Sequence, residues 1–233
     1  MTAASMTSPH LAPGTIAGVI LAGGRARRLG GGDKGALAID GRSILARVVE
    51  TLAAQTDALA INANGVGRRF APLGLPVLCD EVGDAGPLAG ILAGLDWAAA
   101  AGHSWLLTVP TDTPFLPADL VIRLAHGLRR GPAAIAASGG NLHPVIGLWP
   151  VRLASPLRHF LVGEGRRKVR DWVGHCRAAT VDWIDRPVDP FFNVNTTLDL
   201  RRAEALCALA GPRSYHRERA ARAESAWTLQ GTG

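Results

Sequence analysis

The fifteen residues from Leu21 to Gly35, LAGGRARRLGGGDKG, hold six glycines and four cations: Arg25, Arg27, Arg28 and Lys34. Glycine lets a backbone approach a ligand closely and turn several N–H groups toward one point. Arg and Lys supply charge matched to phosphate oxygens. Such a loop suits a phosphate chain; the plainer reading is a solvated basic loop. A second candidate is Asp112, within Pro110-Thr111-Asp112-Thr113-Pro114. Asp before Thr-Pro is a common way to leave a strand. The same carboxylate suits Mg²⁺, which takes one or two protein carboxylates, keeps several waters and binds substrate phosphates.

Two familiar phosphate loops do not fit. Gly30, Gly32 and Gly35 match GxGxxG, but Gly30 lies nine residues past Leu21. The dinucleotide fingerprint needs its first glycine in the strand-to-helix turn. A Walker A loop needs Ser or Thr after its lysine, and Gly35 follows Lys34; a P-loop NTPase is therefore disfavoured.

These residues need a scaffold, and the hydrophobic pattern describes one. Ile16 to Ala22 is a compact apolar run that reads as a buried strand feeding the glycine loop. Ile44, Leu45, Val48, Val49 and Leu52 form a helical stripe, with Ser43 placed to cap it. Ala58–Ala63 reads as a second strand and Pro76–Cys79 as a short third. Pro87–Ala100 reads as a helix with proline in its first turn, and Ser104–Val109 as a buried strand broken by the Asp112 segment. Pro117 then opens a helix carrying Leu120, Val121, Leu124 and Leu128. This alternation predicts an α/β fold, a mostly parallel sheet covered on both faces. The glycine loop and Asp112 then share the carboxyl edge, where open sheets of this kind bind ligands.

The second half is less regular. Ala133–Ala137 and Pro144–Trp149 read as strands joined at Gly139-Gly140-Asn141, a short antiparallel excursion. Val151–Leu161 and Lys168–Val173 read as helices, and Ala179–Ile184 as a strand. Thr196 and Asp199 have the spacing of a capping box before a last helix. The expected organisation is a loose extension over 1–14, one domain over 15–211 and a basic tail over 212–233.

The whole-chain numbers exclude some classes. With 233 residues and 48% hydrophobic content, the chain can build a substantial core. A net charge of +6 suggests an anionic partner. One Tyr and five Phe, beside six Trp, are a poor supply of stacking aromatics, which argues against nucleic acid. Cys79, Cys176 and Cys207 are widely spaced, without CxxC, so a disulfide framework is not expected. The early apolar run is far short of the roughly 20 residues that cross a membrane. No Lys or Arg precedes it. The expectation is a cytoplasmic protein with no membrane partner.

Leu21-Ala22-Gly23-Gly24, Arg28-Leu29-Gly30-Gly31 and Asp33-Lys34-Gly35 resemble the signature of the molybdenum cofactor guanylyltransferases. The similarity continues at Asn62-Ala63-Asn64, Asp80, Gly86 to Gly90, Pro110 to Pro114 and Phe192-Asn193-Val194-Asn195-Thr196, spanning about residues 16–208. Thr111 stands where that family usually has cysteine. The resemblance implies a Rossmann-like three-layer α/β/α sandwich that moves GMP from GTP onto molybdenum-bearing molybdopterin and releases pyrophosphate. It implies Mg²⁺ on Asp112, with Mn²⁺ as a substitute, and Arg28 and Lys34 on the triphosphate. Leu21, Ala22, Gly23, Gly24, Asn62, Asp80 and Asp112 would line the GTP site. Asn62 and Asp80 are also ordinary strand-end and cap residues.

The pterin must be bound by what remains at the same edge: Asn193 and Asn195, which share one face if the segment is extended, are candidates, or else only fix the turn before the last helix. The run Arg166 to Arg170 is a further candidate or merely a solvated helix face, and His143 a contact or merely a turn residue. Molybdoenzyme maturation factors are an implied partner class. Gly23 and Thr113 lean toward GTP. The rivals are a cytidylyltransferase for the same pterin, a sugar-phosphate nucleotidyltransferase and a non-catalytic cofactor carrier.

Overall fold

The structure is a computed structural model that describes residues 15–23, 37–65, 67–83 and 85–210. The proposed extension (1–14), Gly24, Arg28 and Lys34 of the glycine loop, and the tail (212–233) lie outside the described residues.

Nine strands and six α-helices are described. In chain order they are β1 (Ile16–Leu21), β2 (Ala38–Ile39), β3 (Arg42–Ser43), α1 (Ile44–Ala53), β4 (Ala58–Asn62), β5 (Val77–Leu78), α2 (Pro87–Ala100) and β6 (Trp105–Pro110). Then come α3 (Leu120–Gly127), β7 (Ala134–Ser138), β8 (Asn141–Pro150), α4 (Ala154–Arg158), α5 (Val169–His175), β9 (Ala179–Trp183) and α6 (Thr197–Ala210). Seven strands make one sheet in the order β5-β4-β1-β6-β8-β7-β9. Only β8 runs against the rest. The expected Rossmann-like α/β sandwich with one antiparallel excursion is therefore present. The small sheet β2–β3 was not anticipated; strands of two residues carry no readable alternation.

Alternation along β1 divides the core. Ile16 and Ile20 face one hydrophobic cluster with α1, α3 and α6, whereas Ala17, Val19 and Leu21 face the other with α2, α4 and α5. Ser43 caps α1 as expected, its Oγ accepting from Ala46 N at 3.1 Å. α2 is apolar around most of its surface because it is covered by the sheet on one side and by α4 on another. A Cβ at Gly94 would come within 2.9 Å of Leu106 and 3.1 Å of Val19. A Cβ at Gly90 would meet Asn62 Oδ1 at 2.3 Å and Leu21 Cδ2 at 2.8 Å. Two small residues one turn apart thus seat the helix on the end of β1.

The β7–β8 hairpin turns on Gly139 and Gly140, both at positive φ (53° and 77°), which is why glycine stands at both. Asn141 is already the first residue of β8, paired with Ser138. His143 is likewise a strand residue rather than a turn residue. The register shifts after it, where Pro144 has no N–H to give the ladder. The Arg166 to Arg170 run is not a helix face. Gly165 at φ 66° ends the preceding helical stretch, and α5 begins only at Val169.

Candidate active site at the carboxyl edge

Because all the strands but β8 are parallel, Leu21, Asn62, Leu78, Pro110, Ser138 and Trp183 end on one rim. β1 is central there: Leu21 is in register with Asn62 on one side and Pro110 on the other. The chain stays bound to β4 beyond the strand, with Ala22 N donating to Asn62 O at 2.8 Å. Gly23 follows at the rim, its notional Cβ 3.9 Å from Asn62 Oδ1. Gly23 thus stands between the β4 and β6 ends.

On the β4 side a closed polar ring forms. Asn62 is only 3% exposed. Its Nδ2 donates to Asp80 Oδ1 at 2.8 Å and to Leu78 O at 3.3 Å. Asn64 Nδ2 donates to Asp80 Oδ2 at 2.5 Å, and Asp80 N donates back to Asn64 Oδ1 at 3.0 Å. Each carboxylate oxygen receives one amide and keeps acceptor capacity for a further donor. Asn64 escaped the list of sequence candidates. The Asn-x-Asn spacing was its signal, because residues two apart in extended chain share a face.

On the β6 side, Asp112 stands two residues past Pro110 and is half-buried, with Oδ1 buried. Thr113 beside it is fully buried, its Oγ1 donating to Pro110 O at 3.3 Å. Val194 N donates to Asp112 O at 2.9 Å, so the Phe191–Asn195 segment crosses the Asp112 loop. Val194 is buried while Asn193 is exposed and Asn195 half-buried. The structure therefore brings Asn193 and Asn195 beside Asp112, although Val194 and Asp112 are 82 positions apart in the chain. The α6 capping box closes the segment: Thr196 N donates to Asp199 Oδ2 at 2.9 Å and Asp199 N to Thr196 Oγ1 at 3.1 Å. The Thr196 hydroxyl leads the interactions that hold the Asp199 carboxyl below its ordinary range.

Two strand spacings, about 10 Å, separate the β4 and β6 ends. A ligand lying across the end of β1 would meet amide and carboxylate acceptors on one side and a partly buried carboxylate on the other. Among the described residues, no group of three or more His, Cys, Asp or Glu could hold a metal ion. A cation on Asp112 would therefore need water and ligand oxygens for the rest of its shell, which is the habit of Mg²⁺. Arg166 is engaged elsewhere: it pairs with Glu164 and Asp171, each at 3.5 Å, and lies over the Phe160 ring.

The family model of the MobA-like NTP transferase domain matches residues 18–180. The chain is 53% identical over 199 residues to a molybdenum cofactor guanylyltransferase of Bradyrhizobium sp. (strain ORS 278), with 83% of this chain and 94% of that protein covered. Among solved structures it is similar to molybdopterin-guanine dinucleotide biosynthesis protein A of Archaeoglobus fulgidus, with TM-score 0.63 and 22% identity, over 84% of this chain and all (100%) of that one. It is similar also to the Rv0371C protein of Mycobacterium tuberculosis H37Rv, solved in complex with manganese, with TM-score 0.58 and 19% identity, over 82% of this chain and 98% of that one.

Proposed function

This chain belongs to the MobA-like NTP transferases, and within them to the molybdenum cofactor guanylyltransferases; from that membership we propose how its rim carries out the transfer. It is a nucleotidyltransferase that moves GMP from GTP onto Mo-molybdopterin. The acceptor's terminal phosphate oxygen forms a bond to the α-phosphorus of GTP. The bond from that phosphorus to the β-phosphate breaks, and pyrophosphate leaves with the electron pair.

The observation that carries this reading is the placement of two polar sets on either side of the end of β1. Asn62 and Asp80 offer acceptors to the N–H groups of guanine or the hydroxyls of its ribose. Across β1, Asp112 faces the reacting phosphates, and Asn193 and Asn195 border the acceptor. In this reading the triphosphate falls to the backbone of Gly23 and Gly24, with Arg28 and Lys34.

A phosphate monoester has its second pKa near 6, so it is mostly dianionic at neutral pH. It needs no general base, and no His–Asp or Ser–His pair is required of this site. The barrier is repulsion between two anions, and the remedy is neutralisation and alignment. That is chemistry for Lys34 and Arg28. The Asp112 carboxylate would hold the divalent ion, Mg²⁺ in this reading and Mn²⁺ as its substitute, which supplies charge neutralisation at the phosphates.

The test is pyrophosphate release from the protein incubated with molybdopterin, molybdate, Mg²⁺ and each nucleoside triphosphate in turn. Release with GTP alone is expected. Release with CTP alone would overturn the guanylyl reading in favour of the cytidylyl one. Nucleotide binding without release would make the protein a carrier. Among the described residues no helix is long and apolar enough to cross a membrane.

A further inference from the structure

A partly buried polar chain lies on the acceptor side, outside the residues given roles above. Ser138, at the end of β7, is 1% exposed. Its Oγ donates to Asp189 Oδ1 at 2.7 Å and lies 2.8 Å from His143 Nε2. A hydroxyl has one proton. Given to Asp189, it leaves the oxygen to accept from His143 Nε2–H. The same Asp189 Oδ1 also accepts from Phe191 N at 2.9 Å. The Phe191 ring packs between the His143 ring, 4.9 Å between centroids, and Trp183, at 5.1 Å and edge-on.

This cluster governs a stretch of chain with no strand partner. From the end of β9 to the start of α6, the segment bearing Asn193 and Asn195 belongs to no ladder. Three fastenings hold it: Asp189 with Ser138 and Phe191 N, Val194 N on Asp112 O, and the Thr196–Asp199 box. The two asparagines lie between them. Removing the first fastening loosens the segment upstream of Asn193 and leaves the α6 cap intact.

We propose that Asp189, Ser138 and His143 are positioning residues for the acceptor, setting the Phe191–Asn195 segment so that Asn193 and Asn195 meet the pterin. The inference rests on the guanylyltransferase reading above and deepens its acceptor side. It separates the two substrates. Four strand spacings, about 19 Å, lie between β7 and β4, so a change at Ser138 or Asp189 is independent of the Asn62–Asp80 ring.

The experiment is steady-state kinetics of GMP transfer, varying Mo-molybdopterin and GTP separately, for the unaltered protein, Asp189→Ala, Asp189→Asn and Ser138→Ala. A partly buried hydrogen bond to a charged group is lost in Asp189→Ala, so its KM for Mo-molybdopterin should rise about tenfold. Its KM for GTP should stay within about twofold. Ser138→Ala should raise the acceptor KM about threefold to tenfold. Asp189→Asn keeps an acceptor oxygen and should return the acceptor KM toward the unaltered value. General destabilisation lowers the active fraction, and hence the apparent kcat, without moving either KM. If Asp189→Ala fails to fold, Ser138→Ala decides. An acceptor KM unmoved in Ser138→Ala and in Asp189→Ala where it folds, or a GTP KM that rises in parallel, overturns the inference while transfer by the unaltered protein keeps the function. No transfer by the unaltered protein overturns both.

Discussion

The two sides of the rim are built by different means. On the β4 side, Asn62, Asn64 and Asp80 lie within 19 residues at the ends of neighbouring parallel strands, and their side chains bond directly to one another. On the β6 side, Asp112 and the Asn193–Asn195 segment are distant in sequence, and main-chain hydrogen bonds and loop fastenings join them. The first side is a prearranged set of acceptors. The second is a strap laid across a loop, fastened by hydrogen bonds at Asp189, Val194 and the Thr196–Asp199 box.

The sharpest break in this comparison is at Asp112. Asp112→Ala should lower GMP transfer by at least about a hundredfold with little change in GTP-site hydrogen bonding. Turnover near the unaltered rate would remove the metal role. Next in size is the β4 side. Asp80→Ala takes the carboxylate from both amides, leaving Asn62 Nδ2 only Leu78 O, and should raise the KM for GTP about tenfold to a hundredfold, with the acceptor KM unchanged. Parallel changes in both constants would erase the distinction between the sides. Gly90→Ala should act on the same side through packing. A methyl 2.3 Å from Asn62 Oδ1 should cost about 1–3 kcal/mol in a denaturant titration and also weaken GTP binding.

Smaller effects belong to the strap. Thr196→Ala removes the α6 cap at about 1 kcal/mol, a fall in Tm of about 2–4 °C seen by calorimetry. The smallest is a pH effect. Burial pushes the His143 ring below its usual 6.5, and the nearby Asp189 opposes the shift. As pH falls below 6.5, the unfolded chain takes a proton that the folded ring resists. This contribution to stability is present in full above 6.5 and is lost as pH falls toward the folded value. Comparing Tm between about pH 6.5 and pH 5, His143→Gln should show a shallower decline than the unaltered protein. Equal slopes would show that the ring does not resist protonation.

Legibility divided along the same line. Elements with strong local signals were readable: the apolar run of β1, the proline-opened α2 with bounds at Pro87 and Ala100, the Gly139-Gly140 hairpin and the Thr196–Asp199 box. Each is decided by residues within a few positions, through periodicity, backbone freedom or a cap. Arg47 shows the limit of that reasoning. It lies on the helix that was read for its apolar stripe, yet it is buried and donates from Nη2 to Ile39 O at 2.6 Å. The tertiary fold gave it a carbonyl that no local pattern announces.

By itself the sequence determined the layer order, the carboxyl edge that gathers the candidate residues and the chemical character of the glycine loop, because those follow from hydrophobic period and residue type. Only the tertiary structure decided which distant polar groups meet. Asn64 joins Asp80 across 16 residues, Ser138 joins Asp189 across 51, and the Asp112 carbonyl receives Val194. Such pairings depend on strand register and on where a loop returns to the sheet, and neither leaves a periodic trace in the chain.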